Sequence, residues 1–155
     1  GYNGLGEIFV FIFFGLIAVG GTYYVQALEI NGLVILAGVA PGLFSTAILT
    51  VNNLRDVRED RRSGKHTLPV VLGERFGRIE YVLSVILACL VPIVLVLLSG
   101  AHYVSLVALL AGLLAIPSIR ILYREPPGRV YNEVLAQTGK VLLVYSILFS
   151  MGWVL

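Results

Sequence analysis

Between Asn52 and Gly73 the chain reads N-N-L-R-D-V-R-E-D-R-R-S-G-K-H-T-L-P-V-V-L-G, which places Asp56 and Asp60 among two asparagines and a dense set of basic residues. Asn52, Asp56 and Asp60 recur every four residues, so at about 100° per residue they form one row along a helix. An amide and two carboxylates offer hard oxygen ligands of the kind Mg²⁺ takes, and Mg²⁺ commonly bridges one or two carboxylates to substrate phosphates. Arg55, Arg58, Arg61, Arg62 and Lys65 surround them, supplying cationic partners for an anion. The composite points to a diphosphate–metal site. A plainer reading competes with it: basic loops beside apolar spans anchor membrane topology, and mixed-sign charge runs are ordinarily solvated faces.

The elements that must position this block are membrane helices. Of 155 residues, 58% are hydrophobic and only 13% charged, with a mean hydropathy of +0.93. A soluble domain carries about 25% charged residues, so the composition is of membrane class. Apolar runs at Ile8 to Val25, Leu33 to Val51, Tyr81 to Leu98, Val104 to Tyr123 and Val141 to Leu155 predict five spanning helices, the last extended if Leu135 to Lys140 continues it. The second delivers Asn52 and Asn53 to the membrane surface. A helical extension through Asp60, a break at Gly64 and a short apolar element ending near Gly73 are expected next. Pro41-Gly42 and Pro92 are irregularities that a helix bundle tolerates.

All eleven Lys and Arg residues lie in Arg55 to Arg78 or Arg120 to Lys140, and none lies in the two intervening turns. The positive-inside rule therefore makes both charged segments cytoplasmic. Glu7 then opens the first helix on that side, where a carboxylate suits a helix N-terminus as well as a site. Asn132, Gln137, Thr138 and Lys140 also fall there, either bordering the site or capping a helix. Tyr23 and Tyr24 belong to the far interface as an aromatic belt.

Other chemistries fail on spacing or charge. A net charge of +2 without an interleaved basic groove excludes nucleic acid as a partner. Gly64-Lys65 ends like a P-loop, but the first glycine would have to stand at Glu59, and His66 replaces Ser/Thr. His66 and His102 fall on opposite sides of the membrane and share no metal. Cys89, the single cysteine, reads as a small buried hydrophobe. There is no basic n-region of a signal peptide.

The ordered pattern N-N-x-R-D-x-x-x-D followed by G-K-x-T-L-x-x-x-L-G resembles the second aspartate-rich motif of the UbiA-type membrane prenyltransferases. Within them it is most similar to the 1,4-dihydroxy-2-naphthoate polyprenyltransferases of menaquinone synthesis. The resemblance extends to G-L-G-E-I-F-V-F-I-F-F-G from Gly4, T-Y-Y-V-Q ending at Gln26, and L-G-E-R-F-G-R-I-E-Y from Leu72 to Tyr81. It implies an all-α polytopic bundle, residues 1–155 forming one membrane domain with the aspartate-rich motif and loop at 52–78. That family uses two aspartate-rich motifs in a protein about twice this length; one is found here, so the chain is expected to be the C-terminal half, partnered by an N-terminal half carrying the other.

The resemblance further implies an enzyme of the bacterial inner membrane. Asp56 and Asp60 would ligate Mg²⁺, Asn52 and Asn53 would supply or orient polar contacts to substrate, and Arg55 and Lys65 would contact diphosphate. Polyprenyl diphosphate would be the donor, its tail held by the bundle among membrane lipid, and 1,4-dihydroxy-2-naphthoate the acceptor, decarboxylated on the way to demethylmenaquinone. Three alternatives stay open: a different aromatic acceptor such as 4-hydroxybenzoate or a porphyrin, a transporter or channel subunit, and a noncatalytic partner. The transporter reading is weakened because no Asp, Glu, Lys or Arg occupies the middle of a span.

Overall fold

Five long helices, each apolar enough to cross a membrane, account for most of the computed structural model, which describes residues 4–155. They are α1 (Gly6–Ala27), α2 (Gly32–Arg55), α5 (Glu74–Ser99), α6 (Tyr103–Arg124) and α7 (Tyr131–Val154). Two short helices, α3 (Val57–Arg62) and α4 (Leu68–Leu72), lie between α2 and α5. Among the described residues there is no strand. The chain is thus an all-helical integral membrane protein, and the expected count of five spans holds.

The centre of the bundle is α2, which packs against α1, α5 and α7. Its buried residues occupy more than one face, with Ala40, Phe44, Ala47, Val51 and Leu54 in one stripe and Gly38, Gly42 and Asn53 on the opposite side, as a helix with neighbours on several sides requires. Outer helices bury narrower stripes. In α7 these are Tyr131, Val134, Thr138, Val141 and Tyr145, a three-and-four spacing that keeps one face inward. In α6 the segment Tyr103–Ala115 is wound as a 3-10 helix. Its buried Ser105, Ala108 and Ala111 follow at every third residue, the spacing that stacks side chains at three residues per turn.

Helix α1 touches the bundle along a thin seam. It is π-wound over Phe11–Ile17, and there Gly15 meets α2 so closely that a Cβ would lie 2.7 Å from the Gly38 carbonyl oxygen and 2.8 Å from the Gly42 Cα. Small residues allow this backbone approach. The rest of α1 is largely open, with Phe9, Phe13, Phe14 and Ile17 all exposed. In a membrane protein such surfaces face hydrocarbon or another transmembrane helix.

Helix boundaries differ from the apolar runs in a consistent direction. The third span begins at Glu74 instead of Tyr81, and the fifth at Tyr131 instead of Val141. In both cases a polar turn continues the helix beyond its apolar stretch, and Glu74–Arg78 pair across one turn at 3.4 Å, an i,i+4 arrangement that supports helix. Pro41 and Pro92 lie inside continuous helices.

Candidate functional site

The second helix ends at Asp56, whose backbone (φ −97°, ψ 7°) leaves the helical region before α3 begins. The row Asn52, Asp56, Asp60 therefore does not run along one helix: Asp60 stands on α3. This break separates the environments of the two aspartates. Asp56 keeps a third of its side-chain surface, whereas Asp60 retains 5%.

Arg55 clasps Asp56 with two parallel bonds, Nε to Oδ1 at 2.7 Å and Nη2 to Oδ2 at 2.6 Å. This is the fork geometry that gives guanidinium–carboxylate pairs their strength and direction. Two amide oxygens hold the same guanidinium: Nη2 donates to Asn52 Oδ1 at 2.8 Å and Nη1 to Asn132 Oδ1 at 2.9 Å. Asn132 lies near the start of α7, 77 residues further along the chain. It joins the two charged segments at one end of the bundle, as their shared charge pattern requires. Hydrogen bonding from Arg55 holds the Asp56 carboxyl below the usual carboxylate range; desolvation opposes this, and the positive charges of Arg55 and Lys65 add to it.

Asp60 is served from the following loop. Gly64 takes a φ of +72°, readily available only to glycine. The turn it makes brings the Lys65 amide to the Asp60 carbonyl at 2.9 Å and the Lys65 Nζ to Asp60 Oδ1 at 2.9 Å. Lys65 thus pairs with one aspartate and acts electrostatically on the other. Arg58, Arg61 and Arg62 are exposed. Asn53 points elsewhere: it is buried, and its Nδ2 donates to Glu7 Oε1 at 2.8 Å.

Beside Asn52 an apolar groove of about 550 Å³ opens along α1, α2 and α7, lined by Val10, Phe14, Ser45, Ile48, Leu49 and Leu135. The arrangement is a cationic and carboxylate-bearing cluster at the head of a membrane-depth groove. Its donor set for a metal is all oxygen. Among the described residues no three Asp, Glu, His or Cys side chains gather to hold an ion unaided, but Mg²⁺ is commonly held by one or two carboxylates with phosphate oxygens and water. Asp56 and Asp60 offer two carboxylates, each held here by a cation, Arg55 or Lys65.

Two contacts escape sequence reasoning. Asn132 had only its place on the charged side to recommend it, and the partnership of Glu7 with Asn53 crosses 46 residues. Neither leaves a local spacing signal.

These features define a class, a polytopic helical membrane protein with a phosphate-suited charged cluster at one end. Residues 1–133 match the family model of the UbiA prenyltransferase family, and the chain belongs to that family. It is 40% identical over 155 residues to the 1,4-dihydroxy-2-naphthoate octaprenyltransferase of Haemophilus influenzae, covering 98% of this chain and 49% of that protein. It is 39% identical over 153 residues to the protein of the same name from Escherichia coli K12, with 98% and 49% covered. The human UbiA prenyltransferase domain-containing protein 1 is 29% identical over 154 residues, covering 99% of this chain and 44% of the relative. The chain spans about half the length of these relatives. No solved structure matches it significantly.

Proposed function

We propose that this chain forms the C-terminal half of a membrane enzyme that transfers a polyprenyl group from its diphosphate to 1,4-dihydroxy-2-naphthoate, with decarboxylation, giving the quinol form of demethylmenaquinone. The observation that carries the reading is the Arg55–Asp56 and Lys65–Asp60 cluster standing at the head of the groove beside Asn52. The naphthoate acceptor is supported by the names of the bacterial relatives at about 40% identity.

Transfer breaks the C–O bond to diphosphate, the electron pair leaving on oxygen, and forms a C–C bond from the electron-rich ring to the allylic carbon; the ring–carboxylate bond then breaks, CO₂ leaving and its bonding pair returning to the ring. Asp56 and Asp60 would hold Mg²⁺, which when bound neutralises charge on the departing diphosphate. Arg55 is pre-aimed by Asn52 and Asn132, so little side-chain freedom is lost when phosphate replaces carboxylate as its partner. Lys65, whose side chain is 43% exposed, can reach the same anion as a point charge. The groove walls receive the polyprenyl tail and exclude water from the developing cation. The first aspartate-rich motif would come from the N-terminal half. The charged end would face the cytoplasm, from a bacterial inner membrane, by the distribution of Lys and Arg.

The test is product analysis by mass spectrometry on the full-length protein in lipid, given Mg²⁺, a polyprenyl diphosphate and 1,4-dihydroxy-2-naphthoate. Decarboxylated prenyl product that disappears in Asp56→Ala, in Asp60→Ala and on chelation supports the whole reading. Product only with 4-hydroxybenzoate or a porphyrin removes the naphthoate acceptor; no product with any acceptor removes prenyl transfer.

A further inference from the structure

Adjacent residues at the end of α2 serve different sides of the helix. Asn52 turns to the charged cluster and its groove, while Asn53, about 100° around the helix, turns to the back and meets Glu7. Glu7 is 6% exposed and Asn53 8%, and a bond of 2.8 Å to a carboxylate is of the charge-assisted kind. Glu7 forms no ion pair among the described residues. The Asn53 amide is therefore the principal donor to a buried anion, and an anion left without its donor at that depth is costly.

The same corner of the molecule backs the other half of the cluster. Glu7 and Asn53 line a small cavity of about 40 Å³ with Gly4, Gly6, Leu49 and Thr67. Thr67 is buried and its hydroxyl has no partner. A Cβ on Gly4 would lie 3.1 Å from the His66 carbonyl oxygen, so the segment before Glu7 presses on the loop immediately after Lys65. Turning the end of α2 about its axis, or sliding it, would move Asn52, Arg55 and Asp56 together and would break the Asn53 bond.

We propose that Glu7 is a positioning residue, which fixes the rotation of the α2 terminus through Asn53 and so aims Asn52 and Arg55 at the diphosphate. The inference rests on the prenyl-transfer reading for its kinetic consequence alone. No contact of Glu7 with substrate is required.

Four variants of the full-length protein in lipid test it: Glu7→Gln, Glu7→Met, Asn53→Leu and the double Glu7→Met with Asn53→Leu. Gln keeps a carbonyl acceptor for Asn53. The double variant leaves neither group orphaned, and removing both partners of a bond is often close to neutral for stability. Expected are a kcat per folded enzyme within about threefold of the parent for Glu7→Gln, and a loss of about tenfold or more for the other three. The double should be no slower than the worse single, and its melting temperature should be close to that of the parent. Amide exchange over residues 52–56, read without substrate, should quicken in Glu7→Met and return to the parent rate in Glu7→Gln.

A stable double variant with parental kcat overturns the inference, as do losses that multiply or a Glu7→Gln as slow as Glu7→Met. If the parent forms no prenylated product, the functional reading fails, and the exchange rates still decide the inference: unchanged exchange in Glu7→Met overturns it.

Discussion

Removing the two partners of the Lys65–Asp60 bridge should have unequal effects, because only one of them can return to water. The pair is 2.9 Å apart, with Asp60 5% exposed and Lys65 43% exposed. A fully exposed pair contributes about 0–1 kcal/mol, while stranding one charge of a buried pair costs about 3–5 kcal/mol. Lys65→Met strands a carboxylate that is buried on its own side but approached from an open one, so a loss of about 2 kcal/mol, between those limits, is expected. Asp60→Asn instead removes a partner from an ammonium already half in solvent, and should cost below about 1 kcal/mol. The double variant should lie nearer Asp60→Asn than Lys65→Met. SDS-driven unfolding of the full-length protein in mixed micelles measures all three. Equal losses for the two single variants, or a double variant as unstable as Lys65→Met, would refute the reasoning by showing that Asp60 is solvated in practice. On the metal reading the double variant is also stable and inactive, which separates the structural work of the bridge from its chemistry.

Further outcomes follow from single contacts. Gly15→Ala should lose about 1–3 kcal/mol in the same unfolding assay, because its Cβ meets backbone at 2.7 Å; Gly21→Ala, where nothing lies within 4 Å, should be nearly neutral. Tyr81→Phe should cost about 1 kcal/mol: the Thr138 hydroxyl donates to Val134 O at 2.7 Å, so it accepts from Tyr81 at 2.9 Å and loses that donor. The Asp56 carboxyl, depressed by Arg55, titrates lower in the folded protein than in the unfolded chain. Its contribution to stability is therefore present above the ordinary carboxylate pKa of about 4 and lost as pH falls through the folded value. Carboxyl carbon shifts followed by NMR should show Asp56 titrating below the ordinary carboxylate range, and Arg55→Met should bring its titration up toward the ordinary value.

What the sequence made legible was whatever local spacing encodes. Five apolar runs give five spans, and the confinement of Lys and Arg to two segments places both at one end, where Arg55 and Asn132 meet. Gly64 marks the turn that returns Lys65 to Asp60. Helix starts were misplaced because an apolar run measures hydrocarbon depth, and Glu74 and Tyr131 extend their helices past that depth through polar turns. The single row of Asn52, Asp56 and Asp60 was misleading for a different reason: its four-residue spacing assumes one unbroken helix, and the backbone breaks at its middle member.

That break changes what the aspartate pair can do. On one continuous helix, two carboxylates one turn apart would share a face and a common degree of exposure. With the backbone leaving helical geometry at Asp56, one carboxylate stays about a third exposed and clasped by a guanidinium, and the other is buried against a lysine whose side chain is 43% exposed. On the prenyl-transfer reading, an incoming diphosphate would meet two cations of different kinds, a fork already aimed by two amides and the Lys65 ammonium. Each cation that turned to phosphate would then uncover a carboxylate, which on that reading couples anion binding to exposure of the proposed metal ligands. Arg55→Lys tests that coupling: it keeps the charge but loses the fork, and should weaken inorganic pyrophosphate binding by about tenfold or more in the presence of Mg²⁺. Pyrophosphate affinity equal to that of the parent would mean that charge alone suffices at this position and that the pre-aimed geometry is incidental.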